Sequence, residues 1–359
     1  MVTEQYTVTT QKYNFPQPTI DTTLPQRFLE QSIHSLKQVN TQTFQLNQQN
    51  LQQLTTLENP TSLNLKRQPI PLIPRTQETL TAAVDTSTIK IGETSKGIII
   101  AVRGATIWKQ NHHYHYTRLG PFIFHVTEDN KKDVYSTLER AYFNTTYTSN
   151  HQNTPNLLQM PTRIASLLER WMQSMVAKTA SHALILFDGS LTSGTFDTPV
   201  QRMKQILDTA RKNGNTVLAF SKATSLRVNG YLITDLLPEQ EPPYLLETTG
   251  VRFKPPTVLL GDVYVARLNK AKIAFRLDID HETPVTSRLE AVEKLIGNDL
   301  YMQSYPETLR LAHILCTFTA NEVLAMQHFI TRKHGIQIIN RPDMHRLLFG
   351  PFGKGEGYA

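Results

Sequence analysis

The run Ala183-Leu-Ile-Leu-Phe187, ended by Asp188-Gly189-Ser190, constrains the fold of this chain more than any other stretch. A short unbroken apolar run closed by turn residues reads as a fully buried strand, here one that delivers a carboxylate to the edge of a sheet. About a hundred residues upstream, Thr81-Ala-Ala-Val-Asp85 repeats the design, with Thr86, Ser87 and Thr88 after the aspartate. Either aspartate alone also reads as a cap for a turn or for the next helix. Two buried strands that each end on an aspartate predict a shared metal site.

The segments around these strands predict their neighbours. Strands are expected at Thr81 to Ser87, Lys96 to Ile107 and Tyr114 to Val126, joined by short loops as an antiparallel meander. A short helix at Asp133 to Phe143 and a polar loop from Asn144 to Pro161 follow. Arg163 to Lys178 places Ile164, Leu167, Leu168, Trp171, Met172, Met175 and Val176 on one helical stripe. Glu169 falls at its margin, from which a carboxylate can reach the sheet's end, and it is preferred to Glu139 because its helix directly precedes the Asp188 strand. A helix from Pro199 to Asn213 and a strand from Thr216 to Lys222 complete the series. That order is the order of a ribonuclease-H-like α/β domain, a mixed sheet flanked by helices. Its first and fourth strands lie side by side and bring their acidic ends together.

Three segments are expected: residues 1–78 as an N-terminal arm with helices, 79–235 as the core, and 236–359 as strands and helices completing the site. Leu24 to Leu57 is Gln/Asn-rich with Phe28, Ile33, Leu36, Phe44, Leu46 and Leu51 at helix-like spacing, which predicts one or two amphipathic helices packed on the body or on a second subunit. Leu236 to Pro256 reads as a loop, with strands at Val258 to Leu268 and Lys272 to Asp280 after it. Ser287-Arg-Leu-Glu290 reads as a capping box for a helix closed by Gly297. Pro306 is expected to open one long helix to Lys333, with Leu309, Ala312, His313, Cys316 and Ala320 on a buried face. The histidines at 112, 113 and 115 lack a cysteine or carboxylate at ligand spacing and read as a solvated turn.

Composition narrows the classes. At 359 residues and 39% hydrophobic the chain can bury a sizeable core, and 37 Lys plus Arg against 30 Asp plus Glu give +7, compatible with a polyanionic partner. Cys316 alone permits no internal disulfide and fits a reducing cytoplasm, and in its helix it reads as core packing. No apolar run approaches a membrane span and no targeting pattern is visible, so a soluble cytoplasmic protein is expected.

Val84-Asp85, Glu169, Phe187-Asp188-Gly-Ser190, Ser221-Lys222, Phe275-Arg276 and Tyr305-Pro306 with His313 seven residues beyond the proline together resemble the NurA nuclease family over residues 80–349. The resemblance implies a manganese-dependent DNA nuclease that forms a homodimer and works with the hexameric translocase HerA in processing DNA ends for repair. It implies Asp85, Glu169 and Asp188 as metal ligands, with Tyr305 and His313 completing the site. The first motif departs from the family, with Asp85-Thr-Ser87 where Asp-Gly-Ser is usual; a non-catalytic DNA-binding adaptor is the reading that departure supports. Three carboxylates suit Mn²⁺, or Mg²⁺, and can hold two ions about 3.5–4 Å apart. His313 would add a nitrogen ligand or a proton donor, Lys222 would hold the scissile phosphate, and Arg276 would contact the DNA backbone.

Overall fold

A computed structural model describes residues 23–37, 63–66, 68–143, 155–195, 198–299, 301–302 and 305–339. The polar arm, the second half of the Gln-rich segment with Phe44, Leu46 and Leu51, most of the polar loop expected from Asn144, and residues 340–359 lie outside them. The described strands are β1 (Thr81–Glu93), β2 (Gly97–Gln110), β3 (His113–Thr127), β4 (Leu184–Asp188), β5 (Thr216–Ser221), β6 (Tyr244–Thr249), β7 (Gly261–Arg267) and β8 (Phe275–Asp280), with shorter pieces between. The helices are α1 (Thr23–Lys37), α2 (Lys131–Phe143), α3 (Met160–Thr179), α4 (Val200–Lys212), α5 (Val285–Asn298), α6 (Glu307–Cys316) and α7 (Ala320–His334).

One sheet carries the molecule, in the order β3-β2-β1-β4-β5-β8-β7-β6, with Asn64–Leu65 and Ile70–Pro71 pairing on β6 at the far edge. The first three strands are antiparallel, whereas β1 with β4 and β4 with β5 are parallel. This is the ribonuclease-H-like arrangement, the first and fourth strands adjacent as expected. Residues 236–280 extend the same sheet through β8, antiparallel to β5.

Period-two alternation sorts side chains to the two faces. Ala82, Val84, Ile185 and Phe187 pack in one cluster with α3, α4 and Phe28 of α1. Ala83, Leu184, Leu186 and Leu218 pack in the other with α5 and α6. Helix α3 forms because its apolar stripe matches the sheet; Ile164, Leu167, Leu168, Trp171, Met172 and Val176 are all buried. Helix α7 covers a third cluster around Ile91, Ile99 and Ile123.

Five expectations are corrected. Strand β1 does not end at Asp85: its parallel pairing with β4 stops at Val84 opposite Phe187, while its pairing with β2 runs on to Glu93, because β-branched Thr86, Thr88 and Ile89 favour continued strand. The loop predicted from Leu236 contains β6, a buried strand that periodicity should have revealed in Tyr244-Leu-Leu. Helix α5 starts at Val285 after Pro284 with no side-chain cap, so Ser287 lies inside it. Gly297 lies in its last turn and permits close approach instead, since a Cβ there would stand 1.8 Å from the Arg75 carbonyl oxygen. The long helix from Pro306 is two helices, broken at residues 317–319, where Thr319 and Glu322 form the capping box of α7.

Helix α1 exists; its Phe28 packs within the same chain, whereas Ile33 is exposed. Phe28 is fully buried against Phe122 and Phe124 of β3, and Ser35 accepts the His125 backbone N–H at 2.8 Å. Self-association is not needed to bury Phe28. No described helix is long and apolar enough to cross a membrane.

Candidate active site

The point where β1 and β4 cease to pair is where the acidic residues gather. Asp85 directly follows the last paired residue of β1, and Asp188 follows its partner on β4. By the alternation of the faces both sit on the α6 side, and Thr86 on the α3 side. The Asp85 carboxylate accepts the Thr86 N–H at 2.7 Å and shares a 2.8 Å hydrogen bond with His313 Nδ1 of α6. Asp188 pairs with Lys222 Nζ at 2.6 Å and accepts a long 3.4 Å bond from the Tyr305 hydroxyl. Gly189 follows with φ of +104°, a turn conformation suited to glycine, which ends the strand at the carboxylate.

Glu169 comes from the other face of the sheet. It accepts from Gln173 Nε2 at 3.0 Å and from the Thr86 hydroxyl at 3.5 Å, and Arg170 lies 3.8 Å away. Burial raises its proton affinity; Arg170 opposes this, and the charges of Asp85 and Asp188 raise it further. Asp85 is likewise raised, by burial and then by Asp188, against the His313 and Thr86 hydrogen bonds. Asp188 pushes Asp85 and Glu169 upward and Asp85 pushes Glu169 upward, so these groups share one electrostatic site, and a divalent cation would relieve their repulsion. Their oxygen donors fit a hard ion.

Tyr305 is buried in edge contact with Phe220 and Phe275, and burial followed by Asp188 and Asp85 pushes its phenol upward, so it stays a hydrogen-bond donor. Lys222 stands just past β5 with its ammonium 5.6 Å from the Tyr305 ring centre and its side chain 43% exposed. The expectation of a buried His313 is corrected: its side chain is 51% exposed, because it sits on the flank of α6 facing Asp85 while Leu309 and Ala312 face the core.

Arg276 is also corrected. It is buried in a bidentate pair with Asp278, both bonds at 2.7 Å, and is not presented to a nucleic acid. The other Asp278 function is to accept the Leu191 N–H at 3.0 Å, which fixes the turn after Asp188. Two neighbours make contacts that sequence reading did not show. Thr86 was read as a departure, and it bridges Asp85 and Glu169. Cys316 is core, as read, and it also lies one helical turn from His313 with its thiol donating to the His313 carbonyl at 3.2 Å. Burial and then Asp85 hold that thiol protonated. Among the described residues, the group of metal-type ligands whose atoms all lie within 4.8 Å of one another is Asp85, His313 and Cys316. The 112–115 histidines form no such group; Asn111 and His112 make the turn between β2 and β3.

No family model and no curated protein matches the chain. Its fold is similar to that of a NurA nuclease. That structure, from Sulfolobus solfataricus, is 14% identical over 75% of this chain and 88% of its own, with a TM-score of 0.42. Endonuclease V from Bacillus subtilis is 14% identical over 74% of this chain and 87% of its own, with a TM-score of 0.33.

Proposed function

We propose that this chain is a metal-dependent nuclease that hydrolyses phosphodiester bonds in DNA. The observation that carries the reading is the gathering of Asp85, Glu169 and Asp188 from both faces of the sheet, beside a lysine and a half-exposed histidine. Asp85, Glu169 and Asp188 would hold Mn²⁺ or Mg²⁺, with His313 at the edge of the set. Such ions, when bound, neutralise charge on the phosphate and lower the pKa of water.

The chain's own residues divide the remaining work. Lys222, close to Asp188 yet reachable from solvent, holds a non-bridging phosphate oxygen by charge. A site carboxylate oxygen not engaged by the ion would accept the proton of the attacking water. Asp85 fixes the His313 ring through Nδ1, which orients the other ring nitrogen to give a proton to the leaving 3′ oxygen. Tyr305 holds Asp188 in place. Because the Thr86 N–H binds Asp85 and its hydroxyl reaches Glu169, the altered first motif serves the site, which favours an enzyme over an adaptor.

The motif resemblance extends the reading to a homodimer acting with a HerA-type translocase in DNA end resection in the cytoplasm. The test is cleavage of labelled single-stranded and duplex DNA with Mn²⁺, Mg²⁺ or EDTA. Cleavage that needs the metal and vanishes in Asp188→Asn supports the enzyme; DNA binding with no cleavage under any metal leaves the adaptor. Light scattering of the full chain decides between dimer and monomer.

A further inference from the structure

We propose that Asp85, His313 and Cys316 form a second cation site, selective for thiophilic divalent ions of the zinc class and exclusive with the hard-ion site that shares Asp85 and His313. Its inhibitory consequence rests on the nuclease reading above; the site itself does not.

The donors come from two rigid elements. His313 and Cys316 are three residues apart on α6, which places them on neighbouring positions of one helix flank. Asp85 faces them from β1, already within 2.8 Å of His313 Nδ1. A tetrahedral zinc would draw the three donor atoms to about 3.3–3.7 Å from one another. Their present limit of 4.8 Å requires a shift of about an ångström, within reach of side-chain rotation. Cys316 and Asp85 are buried while His313 is half exposed, so a cation would arrive from the His313 side.

The donor chemistry separates this site from the carboxylate one. A centre for Mn²⁺ or Mg²⁺ gains nothing from sulfur, whereas thiolate, imidazole and carboxylate are all ordinary zinc ligands. On binding, the Cys316 S–H releases its proton to solvent and an S–Zn bond forms. His313 coordinates through Nδ1 with one proton kept on Nε2 and any second proton released to solvent, and Asp85 supplies an oxygen in place of its hydrogen bond to Nδ1. The fourth position is left to water. No electron changes hands. Asp85 is thereby withdrawn from Asp188 and Glu169, so zinc would inhibit a reaction that manganese supports.

Cobalt(II) titrated into the metal-free full chain reads the site directly. One equivalent should give a near-ultraviolet thiolate-to-cobalt band with intense visible bands of four-coordination, and Cys316→Ser and Cys316→Ala should both lose the near-ultraviolet band. Zinc K-edge absorption of the unaltered protein should show one sulfur at about 2.3 Å, a measurement that depends on no variant. In competition followed by Mn²⁺ paramagnetic resonance, zinc should release bound manganese from the unaltered chain at concentrations at least about 10-fold lower than from the Cys316 variants. Bound cobalt without a thiolate band, zinc without a sulfur neighbour, or equal zinc competition in all three proteins would overturn the proposal. A thiolate band in a protein that cleaves no DNA would keep this site and remove the nuclease; manganese-dependent cleavage without the band would do the reverse.

Discussion

Asp188 and Asp278 bracket the same turn and are satisfied in opposite ways. Asp188 begins the turn with its side chain 24% exposed, held by a lysine that solvent can also reach. Asp278, on β8, is wholly buried and locked by two bonds from Arg276 while it grips the Leu191 N–H. A carboxylate whose partner is exchangeable can change partners during a reaction. One enclosed by a bidentate buried pair cannot, and it contributes rigidity. The family-like motifs contained both kinds, Asp188 and Arg276, and only the structure separates them.

The largest expected effect comes from the exchangeable group. If the carboxylate set acts as proposed, Asp188→Asn removes one charge from it and cleavage should fall by about 10³-fold, each tenfold being about 1.4 kcal/mol. Because the carboxylates repel one another, thermal stability without metal should hold or rise. Asp85→Asn should behave alike. Unfolding of either variant would make these aspartates structural and erase the contrast.

For the locked group the expectation reverses. Asp278→Ala leaves the Arg276 guanidinium buried without its counter-ion, which costs about 3–5 kcal/mol. Denaturant unfolding should show that loss. Replacing both partners at once, Arg276→Met with Asp278→Leu, should recover part of it, since an apolar pair avoids desolvating charge. Full stability in Asp278→Ala would show that the pair adds nothing to the fold.

How far the sequence foretold this division follows from what each signal measures. Apolar periodicity reports burial, so the β1 to β5 series, α3 and the adjacency of Asp85 and Asp188 were legible. The Glu169 position at the stripe margin was legible from the helical wheel for the same reason. Periodicity does not report which polar atom meets which, so Arg276 was assigned to DNA, and Cys316, correctly placed in the core, was not connected with His313. Helix α6 shows the limit at close range: the stripe through Leu309 and Ala312 was correctly apolar, and His313 beside it was counted inward although half of it is exposed. The break at residues 317–319 was written in Thr319 and Glu322, a capping box overlooked because Pro306 had suggested an uninterrupted helix.

A third expectation uses pH to compare the site with the α1 contact. His125 is buried beside Ser35 and Thr94, and burial lowers its pKa from 6.5 to about 4. The unfolded chain therefore takes up a proton first as pH falls. The stability tied to neutral His125 is complete above about pH 6.5 and is lost progressively down to about pH 4, at most roughly 3 kcal/mol. Asp85 and Glu169 act with the opposite sign: their raised pKa values mean that acid relieves repulsion there. In His125→Gln the fall in stability between pH 6.5 and 4 should flatten. An unchanged pH profile in that variant would show that the acid loss arises elsewhere.

The smallest effect expected is at Thr86, and it tests how the altered first motif holds the site. Two bonds join this residue to the carboxylates: its N–H to Asp85 at 2.7 Å, and its hydroxyl to Glu169 at 3.5 Å. The first is backbone and survives any replacement except proline. The second is long, at the limit of a hydrogen bond, and is shared with the Ala165 carbonyl at 3.4 Å. Thr86→Val keeps the β-branched shape that suits a strand and removes only the hydroxyl. The loss should stay below about 1 kcal/mol, or under about 5-fold in kcat/KM. Metal affinity, read by Mn²⁺ resonance, should change by no more. A loss near that of Asp188→Asn would mean that the hydroxyl, not the backbone, positions Glu169, and that the contrast between exchangeable and locked groups extends to the residue where the motif departs.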